Sequence, residues 1–313
     1  MLVASPNLTT DRIVRTDELR PGEVQRFSEA TILPGGKGVN VVRAARLLGY
    51  PAVLVALAPG RTGRAVVEMV RDEGLEVVPV ETGGEVRAAS VIFERGGRVT
   101  VLNEPGPQAT EGDWRRYQRA VEERLGGHRF LVCVGSTPPG IPPEAYGRLT
   151  ALARDRTLAV LVDATGELLA AALEAGPDIV TPNVAEAETV LLGTTAQPVD
   201  QEGPDAGPRA LEAAAALIAL GARRAVVTAG RAGVAVADGS ETWWVDAPAV
   251  EVRNPIGAGD TLVGVLVGKL ERGAGFPEAV RAAVAGAAAS VETEVPGILD
   301  PGRARALAAE IGA

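Results

Sequence analysis

From Ala52 to Thr228, short and almost wholly apolar runs keep alternating with helix-length segments. That rhythm limits the possible folds more than any other feature of the chain. Ala52–Leu57, Phe130–Val134, Leu158–Asp163 and Ala225–Thr228 lack the apolar–polar alternation of a half-exposed strand, so the strands they predict are covered on both faces. Helical periodicity fills the gaps: Gly38 to Leu48 with a Gly49 stop, Arg64–Glu73 closed by Gly74, Glu111–Leu125, Pro143–Arg154, Glu167–Leu173, Val184–Leu192 and Arg209–Leu220. Strands Met1–Ala4, Glu76–Val80, Ile179–Val180, Val234–Ala237 and Thr242–Val245, with helices Ala258–Glu271, Pro277–Thr293 and Pro301–Ile311, complete the reading. The expected fold class is α/β: a three-layer α/β/α arrangement around a mostly parallel sheet, in a single domain over 1–313.

Two stretches break the rhythm. Arg12–Leu33 alternates loosely about Pro21-Gly22, and Ala88–Glu94 with Arg98–Asn103 alternates about Gly96-Gly97. Neither has helical partners, so the two are expected to pair as a small β-sheet lid formed by about 12–33 and 88–103. Ser5–Asp11 reads as a polar connection and Thr194–Pro208 as a surface loop.

Composition narrows the chemistry. The formal charge is −9, which argues against a nucleic-acid partner, because such proteins display a basic face. Leu262–Val267 and Ala282–Ala289 are among the longest apolar runs and are too short to cross a bilayer. With no basic, apolar leader at Met1, the expectation is a soluble cytoplasmic protein. The one histidine, His128, sits in a Gly-Gly turn, and the one cysteine, Cys133, sits inside an apolar strand. Histidine-centred triads, histidine metal clusters and internal disulfides are thereby set aside. Only Lys37 and Lys269 are lysines among 31 basic residues, so a lysine inside a glycine cluster draws notice.

Two glycine clusters open helices. In Asn254-Pro255-Ile256-Gly257-Ala258-Gly259-Asp260-Thr261, backbone N–H groups can converge on one point at a helix N-terminus, which makes an anion site. Asp260 in the first turn is, taken alone, as readily a helix cap as a base placed beside that anion. Pro34-Gly35-Gly36-Lys37-Gly38-Val39-Asn40 opens the other helix. It lacks the Lys-Ser/Thr pair of a P-loop, and Val41 and Leu262 break the dinucleotide pattern G-x-G-x-x-G. An oxidoreductase is accordingly disfavoured. Asn183-Val184-Ala185-Glu186 fits a capped helix start as well as a ligand site.

Together, Gly-Gly-Lys-Gly-x-Asn before an early helix and Gly-Ala-Gly-Asp-Thr before a late one resemble the two signatures of the ribokinase-like (PfkB) sugar kinases. The resemblance extends over nearly the whole chain. It implies ATP and Mg²⁺, with Asp260 as the catalytic base and Gly257, Ala258 and Gly259 as the anion hole. On the nucleotide side it implies Asn183, Thr228, Gly230, Gly233, Gly257, Gly259, Ala285 and Gly286. It further implies that Glu186 and Asn183 organise Mg²⁺ through water. Ser5-Pro6-Asn7-Leu8-Thr9-Thr10-Asp11 and Asn103-Glu104-Pro105-Gly106-Pro107 are similar to the branch whose substrates already carry a phosphate. There Asp11, Gly36, Lys37, Gly38, Asn40, Arg87 and Asp260 would hold the sugar, with Arg87 on its phosphate. The implied reaction is phosphorylation of fructose 1-phosphate, with tagatose 6-phosphate or fructose 6-phosphate as alternative acceptors, in a homodimer joined through the lid. A sugar-phosphate sensor without catalysis is the rival from another class, and the presence of Asp260 weighs against it.

Overall fold

Strands that are apolar on both faces have to be sandwiched, and the chain achieves this with one large sheet. In a computed structural model, described over residues 1–27, 30–193 and 203–312, the chain runs β1 (Leu2–Asn7), β2 (Thr9–Thr16), β3 (Ala30–Gly35), α1 (Lys37–Leu47), β4 (Val53–Pro59), α2 (Gly60–Asp72), β5 (Glu76–Thr82), β6 (Arg87–Glu94) and β7 (Val99–Asn103). It continues through α3 (Glu111–Arg124), β8 (Phe130–Val134), α4 (Ala145–Asp155), β9 (Ala159–Asp163), α5 (Gly166–Glu174), β10 (Ile179–Val180), α6 (Val184–Leu192) and α7 (Ala206–Ala219). Strands β11 (Arg224–Thr228), β12 (Gly233–Asp238) and β13 (Glu241–Asp246) precede helices α8 (Ala258–Glu271), α9 (Phe276–Val291) and α10 (Pro301–Gly312).

The large sheet has nine strands in the order β13-β12-β11-β10-β9-β8-β1-β4-β5. All neighbours from β11 to β5 are parallel, while β12 and β13 return antiparallel. The period-2 direction of strand side chains splits the core into two layers. Leu131 and Cys133 of β8 join Trp114, Tyr117, Tyr146 and Leu149 of α3 and α4. Phe130, Val132 and Val134 join the face covered by α1, α2, α8 and α9. Cys133 is fully buried and burial pushes its thiol well up, so it is inert filler.

The two excursions do pair with each other, in the order β3-β2-β6-β7, with β2 and β6 parallel between two antiparallel edges. Ile13, Val91 and Phe93 make the small core of this sheet, and Ile256 packs against it. The lid therefore rests on the segment that leads into α8.

Three expectations are corrected. Ser5–Asp11 is a connection only at Leu8: β1 runs to Asn7 and β2 starts at Thr9. Its polar side chains are buried because they serve other segments; the Ser5 hydroxyl accepts from Gly38 N–H at 3.2 Å, and Asn7 donates to the Ser136 hydroxyl at 3.0 Å. Helix α2 begins at Gly60, ahead of Arg64. Of the loop expected over Thr194–Pro208, residues 194–202 lie outside the described residues and Ala206–Pro208 is the first turn of α7. Among the described residues no helix is long and apolar enough to cross a membrane.

Candidate active site

Helices α1 and α8 lie side by side because α8 is smooth where they touch. A Cβ on Gly264 would come within 2.7 Å of the Val41 carbonyl, and one on Gly268 would collide with the Tyr50 ring. Overpacking of that kind costs about 1–3 kcal/mol. The contacts Asn40–Asp260 and Val41–Gly264 advance together along both helices, and Tyr50, just past the end of α1, meets Gly268, so the two run parallel with their N-termini level. The two glycine turns thus meet at the edge formed by the C-terminal ends of the parallel strands, where open α/β sheets place ligands.

Lys37 is the first residue of α1. Its Nζ donates to Asp163 Oδ2 at 3.0 Å and lies 3.8 Å from Glu186 Oε1. Burial pulls this ammonium down, but Asp163, then Glu186 and Asp260, carry it well above the usual lysine range. Asp163 ends β9, and Glu186 stands in the first turn of α6. Asn183 caps α6: its Oδ1 accepts from Glu186 N–H at 2.9 Å, and Glu186 Oε2 accepts from Asn183 N–H at 2.9 Å. The capping box therefore exists, and it leaves Glu186 Oε1 turned towards Lys37.

Asp260 is buried in the first turn of α8, and its Oδ2 accepts from Asn40 Nδ2 at 2.8 Å. Burial raises its pKa to about 7; Lys37 and the Asn40 hydrogen bond oppose the rise, while Asp163 and Glu186 add to it. Gly257 at φ 81 takes the left-handed conformation that favours glycine, against Pro296 and Gly297. Gly259 is different: a Cβ there meets no atom within 4 Å.

Asp11, on β2, is buried beside Gly35, where its carboxylate fills the space a Cβ would need. Its Oδ1 has no hydrogen-bond partner within the protein, and neither has the buried Nε of Arg87. Burial raises Asp11 to about 6, against the pull of Arg87 and Arg43. Arg87 opens β6 and is held only by long bonds from its terminal nitrogens to the carbonyls of Glu104 and Asn7, at 3.3 and 3.4 Å. An unpartnered acceptor and an unpartnered donor on neighbouring charged groups are costly unless a polar ligand completes them.

The site thus combines a buried carboxylate, a glycine turn at a helix N-terminus and an unsatisfied charged pair. The family model described as pfkB family carbohydrate kinase matches residues 2–301. The chain is a pfkB family carbohydrate kinase. It is 32% identical over 292 residues to the ATP-dependent 6-phosphofructokinase isozyme 2 of Escherichia coli, covering 92% of this chain and 91% of that one. It is 30% identical over 306 residues to the 1-phosphofructokinase of Rhodobacter capsulatus, covering 97% and 94%. Phosphofructokinase-2 from Escherichia coli in complex with fructose-6-phosphate superposes with a TM-score of 0.88 at 28% identity, covering 100% and 99%.

In this ATP-dependent sugar kinase, Thr228 ends β11, bridges to Asn183 and donates its N–H to the Pro182 carbonyl at 3.0 Å, with the exposed Gly230 just beyond. Three residues read from the motifs as facing the nucleotide are small for packing reasons as well. Ala285 is wholly buried with Ala44 and Leu299. A Cβ on Gly286 would come within 2.7 Å of Val265, and one on Gly233 would be driven into the Val245 carbonyl. Helix and hairpin packing therefore requires small residues at these positions. Gly36 at φ 101 faces the Asn7 carbonyl, and Gly38 clears the Ser5 side chain, so both are required where β1 passes beneath the helix start. Lys269 and His128 stay out of the site. Lys269 lies 3.7 Å from Glu278 on the surface, and His128 sits in the turn entering β8, at the opposite end of the sheet.

Sequence reading missed Asp163 and Arg43. Each had a legible signal: Asp163 is the acid that ends an apolar parallel strand, and Arg43 is a charge inside the apolar stripe of α1.

Proposed function

We propose that the kinase transfers the γ-phosphoryl group of ATP to a fructose monophosphate, giving fructose 1,6-bisphosphate and ADP. The observation that carries this is a buried, aimed carboxylate, Asp260, beside a turn whose Gly259 has space for a ligand, with the half-satisfied Asp11 and Arg87 close by. On this reading the N–H groups of Gly257, Ala258 and Gly259 face the transferring phosphoryl group. Asp260 takes the proton of the attacking hydroxyl as the new O–P bond forms and the bond to ADP breaks. A carboxyl pushed up to about 7 by burial is matched to that transfer near neutral pH. Asp11 and Asn40 hold sugar hydroxyls, and Arg87 holds the resident phosphate. Lys37 stabilises charge beside the three acids.

Among the described residues no three Asp, Glu, His or Cys side chains converge to ligate a metal directly. On this reading Glu186 and Asn183 would hold Mg²⁺ through water, since this ion keeps several waters beside phosphates. When bound it supplies positive charge against the phosphate oxygens.

Fructose 1-phosphate is the acceptor the sequence motifs favour. The 32% identity to a 6-phosphofructokinase favours fructose 6-phosphate. ADP release measured across fructose 1-phosphate, fructose 6-phosphate, tagatose 6-phosphate and unphosphorylated fructose tests the proposal. One of the two fructose monophosphates should give the highest kcat/KM, and a preference for free fructose would overturn it.

A cytoplasmic homodimer completes the reading. One cross-strand row of the lid, Ile32–Arg12–Ser90–Leu102, leaves Ile32 53% and Leu102 59% exposed, an apolar pair suited to a second copy. Leu102→Lys should shift the sedimentation coefficient to that of a monomer; an unchanged value would remove the lid from the interface.

A further inference from the structure

Arg43 is a guanidinium in an apolar helix face. Its neighbours Val41, Val42, Ala44 and Ala45 are all buried, and Arg43 itself is 4% exposed. A buried guanidinium needs partners for five N–H bonds. It finds them all: Nε and Nη2 fork onto the Glu73 carboxylate at 2.7 and 2.9 Å, and Nη2 also reaches the Pro34 carbonyl at 2.9 Å. Nη1 donates to the Pro296 carbonyl at 2.7 Å and to Asn40 Oδ1 at 3.0 Å.

The acceptors come from separate parts of the fold that all converge on the site. Glu73 follows α2, and Pro34 lies in β3 at the root of the lid, one residue before the Gly35 that adjoins Asp11. Pro296 belongs to the turn on which Gly257 rests, 3.0 Å from where a Cβ of Gly257 would stand. The remaining acceptor, Asn40, bears on the base. An amide has a donor end and an acceptor end, whereas a guanidinium can only donate. With Oδ1 committed to Arg43, the end presented to Asp260 is Nδ2, at 2.8 Å. Turned over, the amide would set an oxygen against an ionised carboxylate.

We propose that Arg43 is a positioning residue for phosphoryl transfer: it dictates which end of the Asn40 amide faces Asp260 and ties that amide to the turn beneath Gly257 and to the root of the lid. The proposal rests on Asp260 being the base. Besides Asn40, the charged groups facing Asp260 are Lys37 from α1, Asp163 from β9 and Glu186 from α6. A change at position 43 alters none of them. What it frees is the Asn40 amide, whose side-chain hydrogen bond favours the ionised form of Asp260, so a loosened amide should move the acid limb of activity to higher pH.

The test is the pH profile of kcat/KM for the full chain and its Arg43→Lys, Glu73→Gln and Asp260→Asn forms, using MgATP and whichever fructose monophosphate the wild-type chain turns over. Arg43→Lys keeps the charge and loses the fork. It should lower kcat about 10- to 100-fold, as misplacement of a reacting group does, with KM for ATP little changed. The acid limb should rise by roughly half to one pH unit. Glu73→Gln, at the partly exposed end of the chain of contacts, should move the limb the same way by less, and it carries the test alone if Arg43→Lys does not fold. An acid limb unmoved in the folded variants, with only a lowered Tm or active fraction, makes Arg43 a packing residue and overturns the proposal. If Asp260→Asn keeps its kcat, the base assignment falls instead, and that outcome is read independently of position 43.

Discussion

The turns at the heads of α1 and α8 look alike as sequence, yet their glycines answer to different demands. In the first, every glycine is explained by a neighbour within the protein: Gly35 by the Asp11 carboxylate, Gly36 by the Asn7 carbonyl and Gly38 by the Ser5 side chain. In the second, Gly257 is required by its left-handed φ of 81° and by Pro296, but Gly259 has nothing within 4 Å of the place where its Cβ would stand. Open space at a helix N-terminus beside a buried carboxylate leaves room for a ligand at Gly259. The first turn is a cradle built to place Lys37 and Asn40; the second, on the proposed function, is a surface presented to a phosphate.

The sharpest way to break that contrast is at the residue that follows the second turn. Asp260→Asn should cut kcat by about 10²- to 10⁴-fold, the usual contribution of a positioned base. ATP affinity measured by calorimetry should stay near wild type, and a kcat that survives would reduce Asp260 to a helix cap. Next in size is a paired alanine experiment. Gly259→Ala should fold with an unchanged Tm and lose about 10²-fold in kcat by crowding the phosphoryl group. Gly35→Ala, whose Cβ runs into the Asp11 carboxylate, should lose about 1–3 kcal/mol of stability in urea unfolding. Equal effects of both substitutions on Tm and on kcat would erase the distinction between the turns.

Arg87→Ala tests the lid side. KM for the sugar phosphate should rise about 10- to 100-fold, the worth of a charge-assisted bond to phosphate, with KM for ATP barely moved. An equal rise in both would take Arg87 out of the sugar site. The smallest effect concerns pH. Asp260 works ionised, so kcat/KM should climb with pH through about 7 and level off above it. Its folded pKa lies above its unfolded value of 3.8, so folding favours the protonated acid, and this contribution fades between pH 3.8 and about 7. Asp260→Asn should therefore be more stable than wild type at pH 8, by roughly 1–4 kcal/mol, with the gain vanishing near pH 3. A stability difference independent of pH would show that the carboxylate is solvated.

Strand and helix assignments were legible because each rests on a local period. Phe130–Val134 and Val184–Leu192 coincide with β8 and α6, and the two lid excursions pair as their alternation required. Ser5–Asp11 misled because polar residues in an apolar strand read as a connection, whereas Ser5 and Asn7 are buried to serve Gly38 and Ser136. Gly286 and Gly233 show the limit from the other side. A glycine in a motif invites a ligand, and only the positions of Val265 and the Val245 carbonyl reveal that packing calls for a small residue there as well. Asp163 went unread because Lys37 is 126 residues away along the chain, and Arg43 because its partners Asn40, Pro34, Glu73 and Pro296 lie from 3 to 253 residues away and only the fold brings them to one guanidinium.

Periodicity and turn chemistry act over a few residues, so the order of elements, the covered parallel sheet and the two glycine-headed helices follow from the string of residues alone. The electrostatics of the site do not. Coulomb energy and hydrogen bonding depend on separations in space, and it took the packing of Gly264 on Val41 to bring Asn40 to Asp260, and the sheet order to bring Asp163 to Lys37. Those contacts, made across the chain, decided which acid is buried with an amide donor aimed at it and its pKa raised.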